Sequence, residues 1–272
     1  MKSFDHFIIT RFNIKNKGWL SDKYGQNVND QKWLTERYEL FMMYCYPSVL
    51  KQSCKDFTWL VFFDMNTPLK FKEKNKDINN SLPQFNAIYV EDYSDFENKL
   101  PEEIKTRAES EYIITSRFDN DDCYHVDTVK TIQKHFKPQP NTIIDLENGL
   151  TLDINKVNRL SRKKGVVSGP FVSYIEKIEE GKIIKTAYNC EHVHWKDRAQ
   201  FIPVKQGYFW LQIIHNRNVS NQMSIDLISN KSYLKGFPID RMPKFNLKYY
   251  VFVFVLQLGV FEFFRTIKAS FK

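Results

Sequence analysis

Three carboxylates fall within four residues of the chain, where the sequence reads Asp119-Asn120-Asp121-Asp122. Carboxylates this close repel one another, and a hard divalent cation relieves that repulsion best. Mg²⁺ or Mn²⁺ held by one or two carboxylates and completed by diphosphate oxygens is a common arrangement. An Asp-rich turn that caps a helix over 123–136 explains the same residues, since Asp is a good N-cap. Both interpretations stay open for this acidic cluster, and its neighbours favour the metal site.

Polar residues also end three other short apolar runs, at 6–12, 57–63 and 86–90, and the acidic cluster follows a fourth, at 112–118. The polar ends are Thr10-Arg11-Phe12-Asn13, Asp64-Met65-Asn66, Glu91-Asp92, and Arg117-Phe118 with the cluster itself. Runs of this length and composition are typical of buried strands. Ligands of parallel α/β sheets lie outside the carboxyl ends of the strands. The pattern therefore predicts one site, built from four loops at one edge of a sheet.

The segments between these strands are expected to position that edge. Apolar residues recur three and four apart over 30–52 and predict a helix, with a kink or break at Pro47. A shorter helix is predicted over 100–111. The order strand, helix, strand, loop, strand, helix, strand over the first 120 residues indicates an open α/β sheet with buried, mostly parallel strands.

The second half of the chain gives weaker patterns. A hairpin is predicted from 142–146 and 150–154 around Asn148-Gly149, and further strands over 165–175 and 182–188. The run 208–214 predicts an apolar strand that ends at His215. The best position for a boundary between the two halves is residue 140.

Composition limits the class of protein. The chain has 272 residues, 42% of them hydrophobic, and a formal net charge of +8. That charge suits nucleic acid, an anionic membrane or phosphate-bearing substrates. The sequence has no zinc-finger spacing and no basic run interleaved with stacking aromatics, so nucleic acid is not expected among the partners. Four cysteines without a CxxC pair, and an N-terminus unlike a signal peptide, indicate a cytoplasmic protein with reduced thiols.

Several segments together resemble a bacterial rhamnosyltransferase family that is related to the GT-A glycosyltransferases. They read FIITRFN, WLVFFDMNTP, YIITSRFDNDD, GPFVS at 169–173 and WLQIIHNRNVSN at 210–221. The resemblance implies a GT-A-like, Rossmann-like open mixed sheet with flanking helices. It also implies a nucleoside diphosphate sugar as donor, a divalent metal (Mn²⁺ or Mg²⁺), and a polysaccharide or glycolipid acceptor of a bacterial surface glycan such as lipopolysaccharide or capsule.

The family's DxD motif, often LDADD, falls on 118–122 and implies a role for each carboxylate of the acidic cluster. Asp119 would face the ribose, Asp121 would be the principal metal ligand, and Asp122 would ligate through water or hold its neighbours. His215 would close the metal site, although a histidine capping a strand end is an alternative.

The same resemblance implies further contacts with the donor. Asp64 would bind the base, and Thr10, Arg11 and Asn13 would border the nucleotide. Arg117 either pairs with the diphosphate, which suits a bidentate guanidinium, or neutralises the acidic cluster.

An inverting transfer needs a carboxylate that deprotonates the acceptor hydroxyl. The densest ionisable stretch after the acidic cluster is 189–197, so Glu191 is the first candidate for this base and Asp197 the second. Asp145 is a third. His192 and His194 alternate as on one face of a strand, which is typical of a polar strand face or of a zinc pair.

The organisation expected is a nucleotide-sugar-binding half at 1–140, an acceptor-binding half of the same domain at 141–243, and a C-terminal aromatic and basic segment at 244–272. The run 249–264 is short for a membrane span and is flanked by Lys244, Lys248, Arg265, Lys268 and Lys272. This indicates peripheral attachment to the inner face of the cytoplasmic membrane, or a segment packed on the catalytic domain.

Two alternative functions fit part of the pattern. A metal-dependent nucleotidyl- or phosphotransferase would need the same carboxylates, but the sequence contains neither a Walker loop nor a glycine-rich phosphate loop after the first strand. A non-enzymatic module that binds membranes or glycans would use only the basic charge and the tail.

Overall fold

The computed structural model describes residues 2–15, 30–155, 159–216, 218, 223–224, 226–239, 244, 248–253, 255–256 and 259. The strands are β1 (Asp5–Arg11), β2 (Thr58–Asp64), β3 (Phe85–Val90), β4 (Tyr112–Arg117), β5 (Cys123–Tyr124), β6 (Thr142–Leu146), β7 (Gly149–Asp153), β8 (Arg159–Lys163), β9 (Ser173–Lys177), β10 (Gln200–Val204), β11 (Trp210–Ile214) and β12 (Leu227–Ile228). The α-helices are α1 (Gln31–Leu40), α2 (Tyr46–Leu50), α3 (Leu69–Ser81), α4 (Tyr93–Arg107) and α5 (Thr128–Lys134).

The larger sheet of the described region has the strand order β10-β6-β9-β4-β1-β2-β3. Its neighbours are parallel, apart from β9, which runs antiparallel to both β4 and β6. Strands β1, β2 and β4 are almost wholly buried, as expected of parallel strands covered on both faces. The predicted α/β class with an open mixed sheet is confirmed, and the four strands predicted in the first 120 residues all form.

Helices cover both faces of this sheet. On one face, α1 and α3 bury Trp33, Tyr38 and Phe71 against the strands. On the other face, α4 buries Phe96 and Leu100. With both faces packed, the polar residues that follow β1, β2 and β4 come together at the carboxyl edge.

The irregularity predicted near Pro47 is present as a π-helical stretch, Phe41–Cys45, between α1 and α2. Tyr46 N donates to Phe41 O, five residues earlier, and Pro47 lies in the first turn of α2. Proline has no N–H to donate, so a widened turn before it keeps the helix continuous. The helical segment therefore does not break at Pro47, and it shows a change of hydrogen-bond pattern there.

The smaller sheet has the order β12-β8-β7-β11-β5 and shows that the predicted hairpin is wrong. β6 belongs to the larger sheet, whereas β7 pairs with β8 and β11. A Cβ on Gly149 would lie 2.0 Å from the Trp210 ring. This glycine therefore permits a close approach of the indole and does not form a hairpin turn.

Other predicted elements also differ from the structure. The helix predicted over 123–136 begins only at Thr128, after the strand Cys123–Tyr124, so the acidic cluster caps no helix. The strand predicted over 165–175 forms only at its end, as part of β9. Residues 182–188 are not a strand. They form a loop across the sheet, where Ala187 N donates to Thr115 Oγ1 over 2.9 Å.

The larger sheet continues across residue 140, because β6, β9 and β10 extend the sheet that β1 to β4 begin. Most of the segment 244–272 lies outside the described residues. Within 248–253, Tyr249 and Val253 are buried against the smaller sheet, and Tyr249 Oη donates to Ile228 O over 2.6 Å. The described helices include none that is both long and apolar enough to cross a membrane.

Candidate active site

Asn13 and Asp64 connect the loops that follow β1 and β2. Asn13 Oδ1 accepts from Asp64 N over 3.1 Å, and Asn13 Nδ2 donates to Thr67 Oγ1 over 3.2 Å. Asp64 Oδ1 accepts from Asn66 N over 2.6 Å, and its Oδ2 lies 3.2 Å from Lys15 Nζ. Both Asn13 and Asp64 are buried. The two residues predicted to border the base and nucleotide are thus held together.

Thr10 and Arg11 point to opposite faces of β1, as successive strand residues do. The Thr10 side chain is fully buried and its Oγ1 accepts from Trp59 Nε1 over 2.9 Å. Its side chain thus faces the core, although the sequence suggested a place beside the nucleotide. Arg11 is half-buried and points towards the Tyr93 hydroxyl, 3.4 Å from its Nη1.

Asp121 is the centre of a buried polar network. Its Oδ2 lies 2.6 Å from Arg37 Nη1 and 2.8 Å from His215 Nε2, and accepts from Asn218 Nδ2 over 3.2 Å. Burial alone would raise the pKa of Asp121, but Arg37 and His215 hold that pKa below its usual range. Asp121 and His215, two of the predicted metal ligands, lie far apart in the sequence. The structure brings their side chains together.

Asn120 and Asp122 fix the acidic cluster to the strands around it. Asn120 Nδ2 donates to Phe12 O over 2.7 Å, and Asp122 Oδ1 accepts from Ile213 N over 2.8 Å. Asp122 Oδ2 is buried without a hydrogen-bond partner. Burial, together with the charges of Asp121 and Asp119, raises the pKa of Asp122. One oxygen of Asp122 therefore links the acidic cluster to β11, and the other has no protein partner.

Two guanidinium groups meet over one tyrosine on the other side of the acidic cluster. Arg11 lies 4.9 Å and Arg117 5.1 Å from the centroid of the Tyr188 ring. Arg117 is buried, and its Nε has no hydrogen-bond partner. Asp119 is half-buried, and its charge is one of those that raise the pKa of Arg11 against the effect of burial. This basic pair is suited to an anionic group of a substrate.

Residues His192–Asp197 form a 3-10 helix, so His192 and His194 do not share the face of a strand, as the sequence suggested. Glu191 precedes this helix, and its Oε2 lies 3.7 Å from Arg117 Nη1 while 63% of its side chain stays exposed. Asp197 is exposed at the far end of the helix. The structure thus brings Glu191, and not Asp197, to the basic pair.

Asp145, the third candidate base, is buried at the carboxyl end of β6. Its Oδ2 accepts from Ser168 N over 2.7 Å. Burial raises the pKa of Asp145 to about 6, and the charge of Glu147 adds to that effect. Ser168 Oγ donates to His192 O, so this carboxylate is linked through Ser168 to the loop that carries Glu191.

The sequence did not identify Arg37, Asn218 or Tyr188 as site residues. Arg37 lies on α1 among residues assigned to an amphipathic helix, 84 positions before its partner. Tyr188 lies at the end of 182–188, for which the sequence predicts a strand. Asn218 follows His215 by three residues, and its Oδ1 accepts from His215 N over 2.6 Å. Among these three residues, only Asn218 has a signal in the sequence, namely its short spacing from His215.

The donor atoms around Asp121 fit a divalent cation whose coordination the substrate completes. A carboxylate oxygen and an imidazole nitrogen are both ligands for Mn²⁺, and Mg²⁺ or Mn²⁺ at phosphate sites often uses one or two protein carboxylates. The described residues contain no group of three or more His, Cys, Asp or Glu arranged to hold a metal. Asp121 and His215 are thus two candidate ligands, and substrate phosphates would have to complete the coordination of a bound cation.

The open mixed sheet with flanking helices and an acidic cluster at its carboxyl edge places the chain in the GT-A-like α/β class. Residues 5–226 match the family described as "Putative rhamnosyl transferase", and the chain belongs to that family. The match confirms the resemblance seen in the sequence. No curated protein matches the chain in sequence.

Solved structures of similar fold include S. aureus TarS 1–349 in complex with UDP-GlcNAc, with 13% identity over 80% of this chain and 60% of that chain, at a TM-score of 0.46. S. aureus TarS 1–349 alone is 14% identical over 78% of this chain and 60% of that chain, at a TM-score of 0.44. The inositol-1-phosphate CTP transferase from T. maritima is 14% identical over 85% of this chain and 94% of that chain, at a TM-score of 0.35. The chain thus spans about 60% of the TarS chain it matches. Values this low carry no information on substrate.

Proposed function

We propose that this chain transfers a sugar from a nucleoside diphosphate sugar to a glycan or lipid-linked acceptor in the assembly of a bacterial surface glycan. Rhamnose is the first candidate for the sugar, because the family is described by that transfer. The observation that carries the proposal is the meeting of Asp121 and His215, 2.8 Å apart, at the strand edge where Asn13 and Asp64 also lie.

The donor lies, in this proposal, along the ends of β1, β2 and β4. Asp64 and Asn13 contact the base, Asp119 contacts the ribose, and Arg11 and Arg117 contact the phosphates. The orphaned Nε of Arg117 supports the last assignment, since a buried guanidinium donor without a partner is costly unless a ligand satisfies it.

Mn²⁺ or Mg²⁺ would be held by Asp121 and His215, with diphosphate oxygens completing its coordination. When bound, the cation would stabilise the negative charge of the departing diphosphate. Asp122 supports this site indirectly, because its bond to Ile213 N fixes the cluster against β11.

Glu191 is the proposed base of an inverting transfer. Its carboxylate lies beside Arg117 at the site and remains largely exposed, so an acceptor hydroxyl can reach it from solvent. Asp145 is the alternative, because it lies at the same edge of the sheet with a raised pKa.

The activity is tested by incubating the purified protein with a panel of nucleotide sugars, Mn²⁺ and acceptor glycans, and measuring release of the nucleoside diphosphate. One nucleotide sugar should support turnover, and Asp121→Asn should abolish it by removing charge from the proposed ligand. Asp153→Asn, a buried aspartate paired with Arg159 in the smaller sheet, is the matched control and should keep activity. Equal turnover in the Asp121→Asn variant and the wild type would contradict the proposal.

A peripheral location on the inner face of the cytoplasmic membrane is proposed from the exposed face of the C-terminal helical residues. Tyr250, Val251, Phe252, Val255 and Leu256 are between 38% and 57% exposed. Apolar side chains of this size insert into the lipid interface, and the flanking basic residues favour anionic lipids.

A further inference from the structure

Arg37 belongs to the Asp121 network but has no role in the scheme above. It lies in α1, whose first turn is fixed by Asp30, since Asp30 Oδ1 accepts from Trp33 N over 2.7 Å. The Arg37 guanidinium lies 5.0 Å from the centroid of the Trp33 ring. Its side chain is 14% exposed, and that of Asp121 is 9% exposed. The ion pair is therefore shielded from water on both sides and held by the packing of α1.

A divalent cation held between Asp121 and His215 would compete with Arg37 for Asp121 Oδ2, the oxygen that contacts both residues. Asp121 Oδ2 lies 2.6 Å from the guanidinium and 2.8 Å from His215 Nε2, so a cation held by Asp121 and His215 would lie within a few ångströms of Arg37. A guanidinium does not lose its proton in proteins. Two like charges this close oppose each other strongly where water is excluded. Arg37 must therefore weaken binding of the cation for as long as it remains on Asp121.

We infer that Arg37 is an exchangeable counter-ion of Asp121, held by the carboxylate in the donor-free enzyme and transferred to the donor's diphosphate when the metal enters. The inference rests on the proposed function. A planar guanidinium binds phosphate oxygens as well as it binds carboxylate. Metal and diphosphate together remove the conflict, because the diphosphate takes up the guanidinium while the cation takes up the carboxylate.

Metal and diphosphate must then bind cooperatively. By linkage, each raises the affinity of the protein for the other by the same factor. The free enzyme would bind metal weakly, and the donor would bring the metal into the site. This arrangement keeps the acidic cluster neutralised between turnovers.

The test measures Mn²⁺ binding by calorimetry, first with the metal alone and then with inorganic pyrophosphate at saturating Mn²⁺. We expect Arg37→Gln to bind Mn²⁺ alone at least tenfold more tightly than the wild type and pyrophosphate at least tenfold more weakly. Arg37→Lys keeps the charge and should keep the weak binding of Mn²⁺ alone. Arg159→Gln removes a similar arginine from Asp153 in the smaller sheet, 2.5 Å from its Oδ2, and should match the wild type in both titrations.

Circular dichroism and thermal unfolding confirm that each variant is folded. Unchanged or weaker Mn²⁺ binding by folded Arg37→Gln overturns the inference, and so does unchanged pyrophosphate binding. Asp121→Asn separates this inference from the proposed metal site. If the wild type binds Mn²⁺ with pyrophosphate and Asp121→Asn does not, the site stands and the Arg37 variants decide. If none of the proteins binds Mn²⁺ in either titration, the metal site and the inference are both wrong.

Discussion

The carboxylates at the site differ in how each is held. Asp145 has an oxygen fixed by the Ser168 backbone in a buried position, whereas Glu191 extends into solvent beside Arg117. A general base must reach the acceptor hydroxyl, which favours Glu191, the exposed group. A carboxylate with a pKa near 6 is better matched to proton transfer at neutral pH, which favours Asp145.

Glu191→Gln should lower kcat by at least about 10²-fold, the usual effect of losing a general base, while donor binding persists. The amide keeps the size of the side chain but cannot accept the proton. Turnover is measured against donor affinity, with Asp197→Asn as the comparison because Asp197 is exposed and lies away from the basic pair. Near-normal kcat for Glu191→Gln would exclude this residue as base.

The raised pKa of Asp145 predicts that the stability of the fold depends on pH. Its pKa is raised from 3.8 to about 6, so the folded and unfolded states both hold the proton only well below pH 3.8. As pH rises through 6, the folded state binds more protons than the unfolded state, and the contribution of Asp145 to stability is lost. Two pH units correspond to about 3 kcal/mol.

Asp145→Asn should remove this dependence while its Oδ1 still accepts from Ser168 N. Relative to the wild type, the free energy of unfolding of this variant should therefore rise by up to about 3 kcal/mol between pH 4 and pH 7. Urea unfolding at both values measures it, and the other titrating groups cancel because both proteins contain them. If the free energies of unfolding of the two proteins differ by the same amount at both pH values, folding does not raise the pKa of Asp145.

At the scale of the elements, the carboxyl-edge strands follow from simple patterns, whereas the covering segments do not. Buried parallel strands such as β2 and β4 are continuous apolar runs bounded by polar residues, and both were predicted within one residue. Residues 182–188 have the composition of a strand but form a loop over the sheet. An apolar segment packed on a sheet meets the same burial as a strand within it, and local sequence cannot separate the two.

Site residues that directly follow an apolar strand could be predicted from the sequence. Arg37, which lies on a helix, could not. Asp121 and His215 each follow an apolar strand. Arg37 instead depends on how α1 packs across the sheet, and the ion pair it forms joins positions 84 residues apart. The hairpin error has a similar cause, because Asn148-Gly149 has turn composition while the true constraint on Gly149 is the Trp210 ring.

Gly149→Ala should therefore destabilise the protein by about 1–3 kcal/mol, since overpacking forces the indole or the backbone to move. Unfolding in urea, followed by tryptophan fluorescence, measures the change. Gly181→Ala is the control for a glycine in open space, although its φ of +75° adds a cost of about 1 kcal/mol on its own. If Gly149→Ala loses no more free energy of unfolding than Gly181→Ala, the Trp210 ring moves aside at little cost.

At the scale of the molecule, the C-terminal helical residues connect the fold to its surroundings through two faces. Tyr249 and Val253 pack against the smaller sheet, so removing the whole segment would damage the core as well as any membrane contact. Val251 and Val255 lie on the side of the helix away from these two residues and are 53% and 57% exposed. Membrane attachment is therefore best tested by substitutions on the exposed face alone.

The double variant Val251→Ser, Val255→Ser should bind vesicles of phosphatidylglycerol and phosphatidylcholine at least tenfold more weakly than the wild type. Both side chains are exposed, so the fold should be retained. The loss of apolar insertion accounts for the change, since burying one such side chain is worth about 1.5–3 kcal/mol. Sedimentation with vesicles measures it, and Ile183→Ser, an exposed apolar residue elsewhere, is the control. Equal sedimentation of all three proteins would exclude this surface.

The antiparallel strand β9, inserted between β4 and β6, fixes the distance between Arg117 and Asp145. Arg117 and Asp145 both lie level with Val172, the residue that precedes β9, on the flanking strands. Two strand spacings separate them, about 10 Å. In the proposed scheme with Asp145 as the base, the hydrogen-bonded sheet would act as a fixed ruler between the donor phosphates and the acceptor. A larger sugar would then be fitted by trimming side chains above these strands, and specificity could evolve without altering the distance at which the two reactants meet.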